Sequence, residues 1–312
     1  MKVSESHVQP GQRYVVVAGP TGSGKSALAM ALASELAGEI INCDSVQVYR
    51  GFDIGAAKVT AAERQRVPHH LLDVAEAHDS FDAALFATAA HAAKSEILAR
   101  GALPLVVGGT GLYLRALLGQ GWNSDLPQDP ELRAKLATLS TSELHEQLQR
   151  LDAKRAAELH PNDRVRLLRA VELVTLLGKP LNEAGFTGIT PPDPAAFVIV
   201  LEPPRAKLHE RIAARTRLML ESGLIEEVRA LIAAGVSPSC KPMQSIGYKQ
   251  VCDYLAGQLG QAELAEAIMA ATRQYAKRQC TWFRSTPTHL RLDGSEALEA
   301  VVGAVRQALS QP

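Results

Sequence analysis

The sequence predicts an α/β fold in which a parallel sheet is flanked by helices and interrupted by an all-helical insertion. Short apolar, β-rich runs alternate with helical stretches through the first third of the chain, the pattern of strands buried on both faces. A glycine-rich octapeptide, GPTGSGKS at 19–26, stands directly after the first of these runs, YVVVA. Between roughly 122 and 190 the alternation stops and only helical segments are seen.

In order along the chain, YVVVA at 14–18 is the first strand, and SALAMALASELAG is a helix of strong formers ending at Gly38. EIINCD supplies a second strand, the alanine-rich stretch around 81–100 a helix, and LPLVVGG from 103 a third strand. Asp129 and Pro130 then start a helix, and Ser140 with Glu143 forms a capping-box signature before Leu144, Leu148 and Leu151. Another helix runs from near Asn162 to Leu177, stopped by Gly178 and Pro180. AAFVIVLEP at 195–203 returns to the sheet. After Pro203 and Pro204 come the helices LHERIAARTRLMLESG and LIEEVRALIAAG, then two more over about 245–257 and 261–284, the short run HLRLDG and a last helix. The expected division is a catalytic core with C-terminal helices over 1–121 and 190–312, and a helical insertion over 122–189.

At 312 residues the chain is long for one simple domain. Its formal net charge of zero excludes a protein that coats nucleic acid through bulk positive charge and leaves only local basic patches for such contacts. The N-terminal MKVSESHVQPGQR lacks the apolar core of a signal peptide, and no apolar stretch reaches the length of a membrane span, so a cytoplasmic protein is expected. Cys43, Cys240, Cys252 and Cys280 form no C-x-x-C pair and are expected to be free thiols in a reducing compartment.

GPTGSGKS fits G-x-x-x-x-G-K-[ST], running through Gly19, Pro20, Thr21, Gly22, Ser23, Gly24, Lys25 and Ser26. In such a loop the glycines let backbone N–H groups turn toward a phosphate, and the following helix adds its positive end. Lys25 would supply a point charge and Ser26 a hydroxyl for Mg²⁺. The core is therefore expected to be P-loop NTPase-like. An ordinary ATPase places an acid at the end of a second strand, but LPLVV ends in Gly108, Gly109 and Thr110. The nearest carboxylate at a strand end is Asp44, so Asp44 and Thr110 are expected to converge on the phosphates. Asp44 reads as a metal ligand, a general base or a turn former, and Thr110 as a site residue or a strand terminator. His69 and His70 are neighbours in an extended segment, so their side chains should diverge into local hydrogen bonds rather than share an ion.

No acid occurs over 267–292, where Arg273, Lys277, Arg278, Arg284 and Arg291 alternate with Tyr275, Trp282 and Phe283. This is either a backbone-following face with stacking aromatics or a solvated helix with core aromatics. A second cluster, Arg205, Lys207, Arg211, Arg215 and Arg217, has only Glu210 against it, and one of these arginines suits a diphosphate. On these residues a small-molecule kinase using ATP and an RNA-binding protein without chemistry also remain open.

Taken together, the chain resembles the tRNA dimethylallyltransferases, which place an isopentenyl group on N6 of the adenosine beside the anticodon. The resemblance runs in order through GPTGSGKS, NCDSVQVYRGFDIGAAK, PHHLLDV, VGGTGLYLRALL, HPNDRVRLLRA, MQSIGYKQ and TRQYAKRQCTWFR. It implies that the glycine loop grips the diphosphate of dimethylallyl diphosphate with Mg²⁺ rather than ATP, and leaves open whether ATP binds the loop as a weak alternative ligand. It implies Asp44 as the base, Thr110 at the reacting groups and Arg215 against the diphosphate charge. Contacts to the tRNA anticodon stem-loop are implied for Asp44, Ser45, Val46, Gln47, Thr110 and Arg133. The run Val165, Arg166, Leu167, Leu168 and Arg169, and the run Gln244, Ser245, Ile246, Gly247, Tyr248 and Lys249, are implied as further contacts. Cys43, Cys280 and Val165 depart from the family's usual residues, and the zinc-finger extension of some eukaryotic members is lacking, which suits a bacterial-type enzyme; a monomer is expected.

Overall fold

In the computed structural model, residues 13–119, 126–184 and 193–310 are described. The chain forms two compact units, one drawn from residues up to 118 and from 192 onward, the other from 119–191. The first unit opens with β1 (Tyr14–Ala18), α1 (Lys25–Leu36), β2 (Gly38–Cys43), α2 (Ala61–Arg66) and β3 (His69–His70). It continues through α3 (Ala83–Ala99), β4 (Leu103–Gly108) and α4 (Gly111–Leu117). The second unit holds α5 (Pro130–Ala137), α6 (Thr141–Leu151), α7 (Ala153–Glu158) and α8 (Arg164–Leu177). Back in the first unit come β5 (Ala196–Leu201), α9 (Arg205–Glu221), α10 (Leu224–Ala233) and a 3₁₀ turn at Pro242–Gln244. α11 (Tyr248–Leu255), α12 (Gln261–Arg284), β6 (Leu290–Leu292) and α13 (Leu298–Ser310) complete it.

The strands form one parallel sheet in the order β3-β2-β4-β1-β5-β6. Every residue of β1 is buried, as a continuous apolar run covered on both faces must be. From β1 to β2 the chain moves one way along the sheet, and from β2 to β4 it moves back. Right-handed crossovers therefore put α1 and α3 on opposite faces. On one face Val15, Val17, Ile40, Leu105 and Val107 pack with Leu32 of α1 and Val301 and Val305 of α13. On the other, α3 packs on β2 and β4.

The register matters most for the site. Ala18 and Cys43 both sit level with Gly108, so β1, β2 and β4 end together and the segments after them leave the same edge. A Cβ on Gly108 would lie 1.9 Å from the Cys43 carbonyl oxygen, so only glycine lets these two strand ends close up. Gly38, expected to end the first helix, instead opens β2, because a Cβ there would meet Leu105 Cδ1 at 2.2 Å. Ala37 takes the left-handed helix-ending conformation in its place, at φ 49°.

Short elements escaped the hydrophobic pattern. β3 is two residues at the sheet edge, with His70 Nε2 2.6 Å from Glu39 Oε2 and His69 Nδ1 2.7 Å from the Val67 carbonyl. The two rings do diverge to separate partners. In the second unit α7 was not foreseen, because no turn residues separate it from α6. Asp152 alone ends α6 and caps α7, its side chain accepting from the Arg155 N–H at 2.9 Å and the Leu181 N–H at 2.9 Å. The expected capping box at Ser140 and Glu143 is present, and Leu144, Leu148, Leu167 and Val171 form that unit's core. α9 begins at Arg205, three residues before the expected start, with Pro204 as its N-cap. Among the described residues no helix is long and apolar enough to cross a membrane.

Gly108→Ala is expected to lower unfolding stability by at least ~2 kcal/mol in chemical denaturation, the scale of overpacking a rigid core. Gly303→Ala is the contrast, since open space surrounds its Cβ position in α13; it should stabilise by up to about 1 kcal/mol.

Candidate active site

Three segments leave the level strand ends: the glycine loop after β1, Asp44 after β2, and Gly109 with Thr110 after β4. In the loop, Gly22 and Gly24 adopt φ 80° and 95°, which side-chain-bearing residues rarely take, and Gly24 leads straight into α1. Two loop N–H groups have protein partners: Ser23 N–H donates to the Pro20 carbonyl at 3.1 Å and Thr21 N–H to Gln279 Oε1 at 2.9 Å. The opening N–H groups of α1, from Lys25 and Ser26, have no acceptor within the helix and are the ones aimed at an anion. Behind the loop, Arg211 of α9 donates to the Ser23 carbonyl at 2.8 Å and holds it from outside.

The loop opens onto a cavity of about 370 Å³, whose lining includes Lys25, Ser26, Asp44, Gln47, Arg215 and Tyr275. Burial, reinforced by the nearby Arg215 charge, lowers the Lys25 pKa to about 8, against an upward pull from Asp44. Burial also lowers the pKa of Arg215, and the Asp44 charge opposes that. Two half-buried cations and one carboxylate thus line one cavity. One Asp44 oxygen, Oδ1, accepts from Val46 N–H at 2.8 Å and Gln47 N–H at 3.3 Å. Asp44 therefore is a turn former, and that fixes its carboxylate at the cavity wall. Thr110 is the N-cap residue of α4, but its hydroxyl makes no capping bond; instead it accepts from Ser45 N–H at 3.2 Å, tying the end of β4 to the turn after β2. Tyr275 lies against both, its pKa pushed up to about 12 by burial and the Asp44 charge, with a Thr110 hydrogen bond opposing.

The cavity also gathers Thr21, Ser45, Val46 and the expected Gln244, Ser245, Ile246 and Gly247. Tyr248 is not available to RNA: it is fully buried and its hydroxyl donates to Glu227 Oε1 at 2.6 Å. Lys249 is half-exposed and paired with Asp253 at 3.0 Å. Ser23 is buried, its Oγ has no partner among the described residues, and it does not line the cavity. Arg133, Val165, Arg166, Leu167, Leu168 and Arg169 belong to the second unit. There Leu167 is fully buried in the core and cannot be an RNA contact, whereas Val165 is 79% exposed. Arg133 and Arg169 both grip the buried Glu172, at 2.8 and 2.6 Å.

The basic, aromatic stretch 267–292 divides between the two readings. Phe283 is core, Trp282 packs beneath Arg115 with its ring 4.4 Å from the guanidinium, and Tyr275 faces the cavity. Its cations are not uncompensated, because Glu266 pairs with Arg273 and Glu202 with Arg291. Acids outside the stretch supply the balance that the local sequence lacked.

Two polar residues of the site were missed. Gln279 joins the glycine loop to Gly109, donating from Nε2 to its carbonyl at 2.8 Å. Glu227 accepts from the Asp53, Ile54 and Gly55 N–H groups at 3.1, 2.7 and 3.2 Å and anchors the loop whose Ala56 carbonyl accepts from Gln47 Nε2 at 3.0 Å. Gln279 falls within the quoted TRQYAKRQCTWFR run, but the role of each residue is hidden because its partners lie far off in sequence, 170 residues away at Gly109 and 174 at Asp53.

A family model described as IPP transferase matches residues 47–286. A tRNA dimethylallyltransferase 1 of Citrifermentans bemidjiense is 44% identical over 302 residues, 96% of this chain and 97% of its own. The crystal structure of a tRNA isopentenylpyrophosphate transferase from Bacillus halodurans is 37% identical, with TM-score 0.71 over 96% of this chain and 97% of that one. The crystal structure of a eukaryotic dimethylallyltransferase acting on tRNA is 27% identical, with TM-score 0.83 over 96% of this chain and 80% of that one.

An anion entering the cavity selects protonated Lys25, whose pKa lies at about 8 in the free protein. Affinity for an anion such as inorganic diphosphate is therefore expected to be full below that pH and to decline as pH rises through it, by about tenfold per unit well above it. Calorimetry in two buffers should detect proton uptake on binding in this alkaline range, and none with Lys25→Met.

Proposed function

Because the chain belongs to the IPP transferase family, we propose that it transfers a dimethylallyl group from dimethylallyl diphosphate to N6 of the adenosine beside the anticodon in tRNA. The products are N6-isopentenyladenosine and diphosphate. The observation that carries this reading is one carboxylate, Asp44, facing a cationic anion cradle inside a single cavity. A kinase needs charge stabilisation around a transferring phosphoryl group; a prenyl transfer needs a held diphosphate and a base beside it.

The diphosphate sits on the opening N–H groups of α1 with Lys25 and Arg215 around it. As the N6 lone pair forms the new bond to the allylic carbon, the carbon–oxygen bond breaks and its electrons leave with the diphosphate. Lys25 and Arg215 stabilise that growing charge where water is largely excluded. Asp44 takes the N6 proton through its second carboxylate oxygen, Oδ2, while Oδ1 holds the turn. Thr110, fixed to Ser45 and beside Tyr275, lies next to the reacting groups. The target base leaves its stack to reach Asp44, as enzymes acting on a base require.

The donor set fits Mg²⁺ carried in with the diphosphate. Ser26 and Asp44 open onto the cavity, and among the described residues no group of three His, Cys, Asp or Glu could form a cage. Such a sparse set suits an ion that takes most of its ligands from phosphate and water, with Ser26 holding it. Bound there, it neutralises charge on the diphosphate.

For tRNA, Arg133 and Arg169 present guanidiniums oriented by Glu172, and exposed Val165 and Arg166 adjoin them on α8. Ser45, Val46, Gln47 and the 244–247 segment line the base's approach to Asp44. The protein acts as a monomer in the cytoplasm, where its four free cysteines stay reduced.

Asp44→Asn tests the base cleanly, because the amide oxygen keeps both turn hydrogen bonds and only the proton acceptor is lost. Turnover should fall by roughly 10² to 10⁴, with the melting temperature unchanged and dimethylallyl diphosphate affinity retained or tightened. Asp44→Ala should lose as much turnover and also some stability. Near-normal turnover by the asparagine variant would remove Asp44 as the base.

A further inference from the structure

Gln279 sits on α12 one helical turn after Tyr275, on the same face, and is 6% exposed. Its side-chain amide is fully engaged between two segments that the chain keeps far apart. Oε1 accepts from Thr21 N–H in the glycine loop at 2.9 Å, and Nε2 donates to the Gly109 carbonyl at 2.8 Å. Gly109 immediately precedes Thr110, and a Cβ on Gly109 would stand 2.5 Å from Gln279 Nε2. The glycine and the glutamine are therefore a fitted pair. No other hydrogen bond among the described residues joins a side chain to both of these segments.

Taking the transferase reading as its basis, we propose that Gln279 is a positioning residue that sets the separation between the leaving-group loop and the Thr110 segment. Thr110 in turn holds Ser45 beside Asp44. Through one amide, the place where the diphosphate is held is fixed relative to the place where N6 attacks. Small misplacements of reacting groups lower rate far more than affinity, so the effect belongs in kcat. Only a side chain that donates on one side and accepts on the other can do this, because one neighbour is an N–H and the other a carbonyl.

The test compares Gln279→Leu and Gln279→Glu with the unaltered protein, in steady-state transfer of dimethylallyl from its diphosphate to tRNA and in thermal melts. Gln279→Leu is expected to lower kcat by about 10- to 100-fold while KM for dimethylallyl diphosphate moves less than about threefold. Gln279→Glu carries the sharper signature. As a carboxylate it accepts only and repels the Gly109 carbonyl; as a carboxylic acid it donates once and accepts once, as the amide does. Its kcat, divided by that of the unaltered protein at the same pH, should be depressed at alkaline pH and recover as pH falls. The midpoint should lie above the ordinary carboxylate range because the group is buried beside a carbonyl. A residue that merely fills space would tolerate leucine, a side chain of similar size, with little loss of kcat. Folded variants with kcat within about twofold of the unaltered protein, or a flat ratio for Gln279→Glu across pH, would overturn the inference. If Gln279→Leu does not fold, the glutamate variant decides alone. No transfer by the unaltered protein would instead sink the transferase reading, and this inference with it.

Discussion

Three parallel strands that end level govern the rest of the molecule. Ala18, Cys43 and Gly108 share one row of the sheet, and the contact between Gly108 and the Cys43 carbonyl leaves no room for a side chain. From that row the glycine loop, Asp44 and Thr110 emerge within reach of one another, although their sequence separations are large. In an open α/β sheet the strands' carboxyl ends face the ligand crevice. The row thus converts a packing constraint into a functional one.

Electrostatics then decides what the crevice accepts. Lys25 and Arg215 are costly to bury as cations, and each has its pKa lowered by that burial. An incoming diphosphate relieves this, while Asp44 alone offsets only part of it. The same enclosure that makes the free cavity unfavourable for positive charge makes it favourable for a leaving anion. Hydrogen bonds keep the walls from relaxing: Arg211 holds the loop from behind, Gln279 ties it to Gly109, and Glu227 clamps the 53–55 backbone.

Much of this was legible in the sequence because it rests on local chemistry. GPTGSGKS between an apolar run and a helix, the capping box at Ser140, and the strand ends at Asp44 and Thr110 are short-range signals that the fold keeps. The core and its helical insertion showed in the switch of periodicity. What stayed hidden depends on contacts distant in sequence. Gly38 looked like a helix stop because its real constraint, the Leu105 side chain, lies in another strand. Tyr248 and Leu167 were implied as contacts because the resemblance carried over whole runs, yet the side chain of each turns into a core. The acid-free stretch at 267–292 admitted two readings, and one of its counter-charges, Glu202 against Arg291, lies 89 residues away. Gln279 stood inside the quoted TRQYAKRQCTWFR run, but nothing local showed that its amide bridges two loops, and Glu227 on a helix reads as ordinary surface chemistry.

The most direct test is analysis of nucleosides by mass spectrometry after reaction. The purified protein is incubated with Mg²⁺, unmodified tRNA bearing adenosine beside the anticodon, and either dimethylallyl diphosphate or ATP. A dimethylallyl adduct on adenosine is expected in the first reaction and not in the second. An unchanged nucleoside profile accompanied by consumption of ATP would contradict prenyl transfer and assign the glycine loop to a nucleotide.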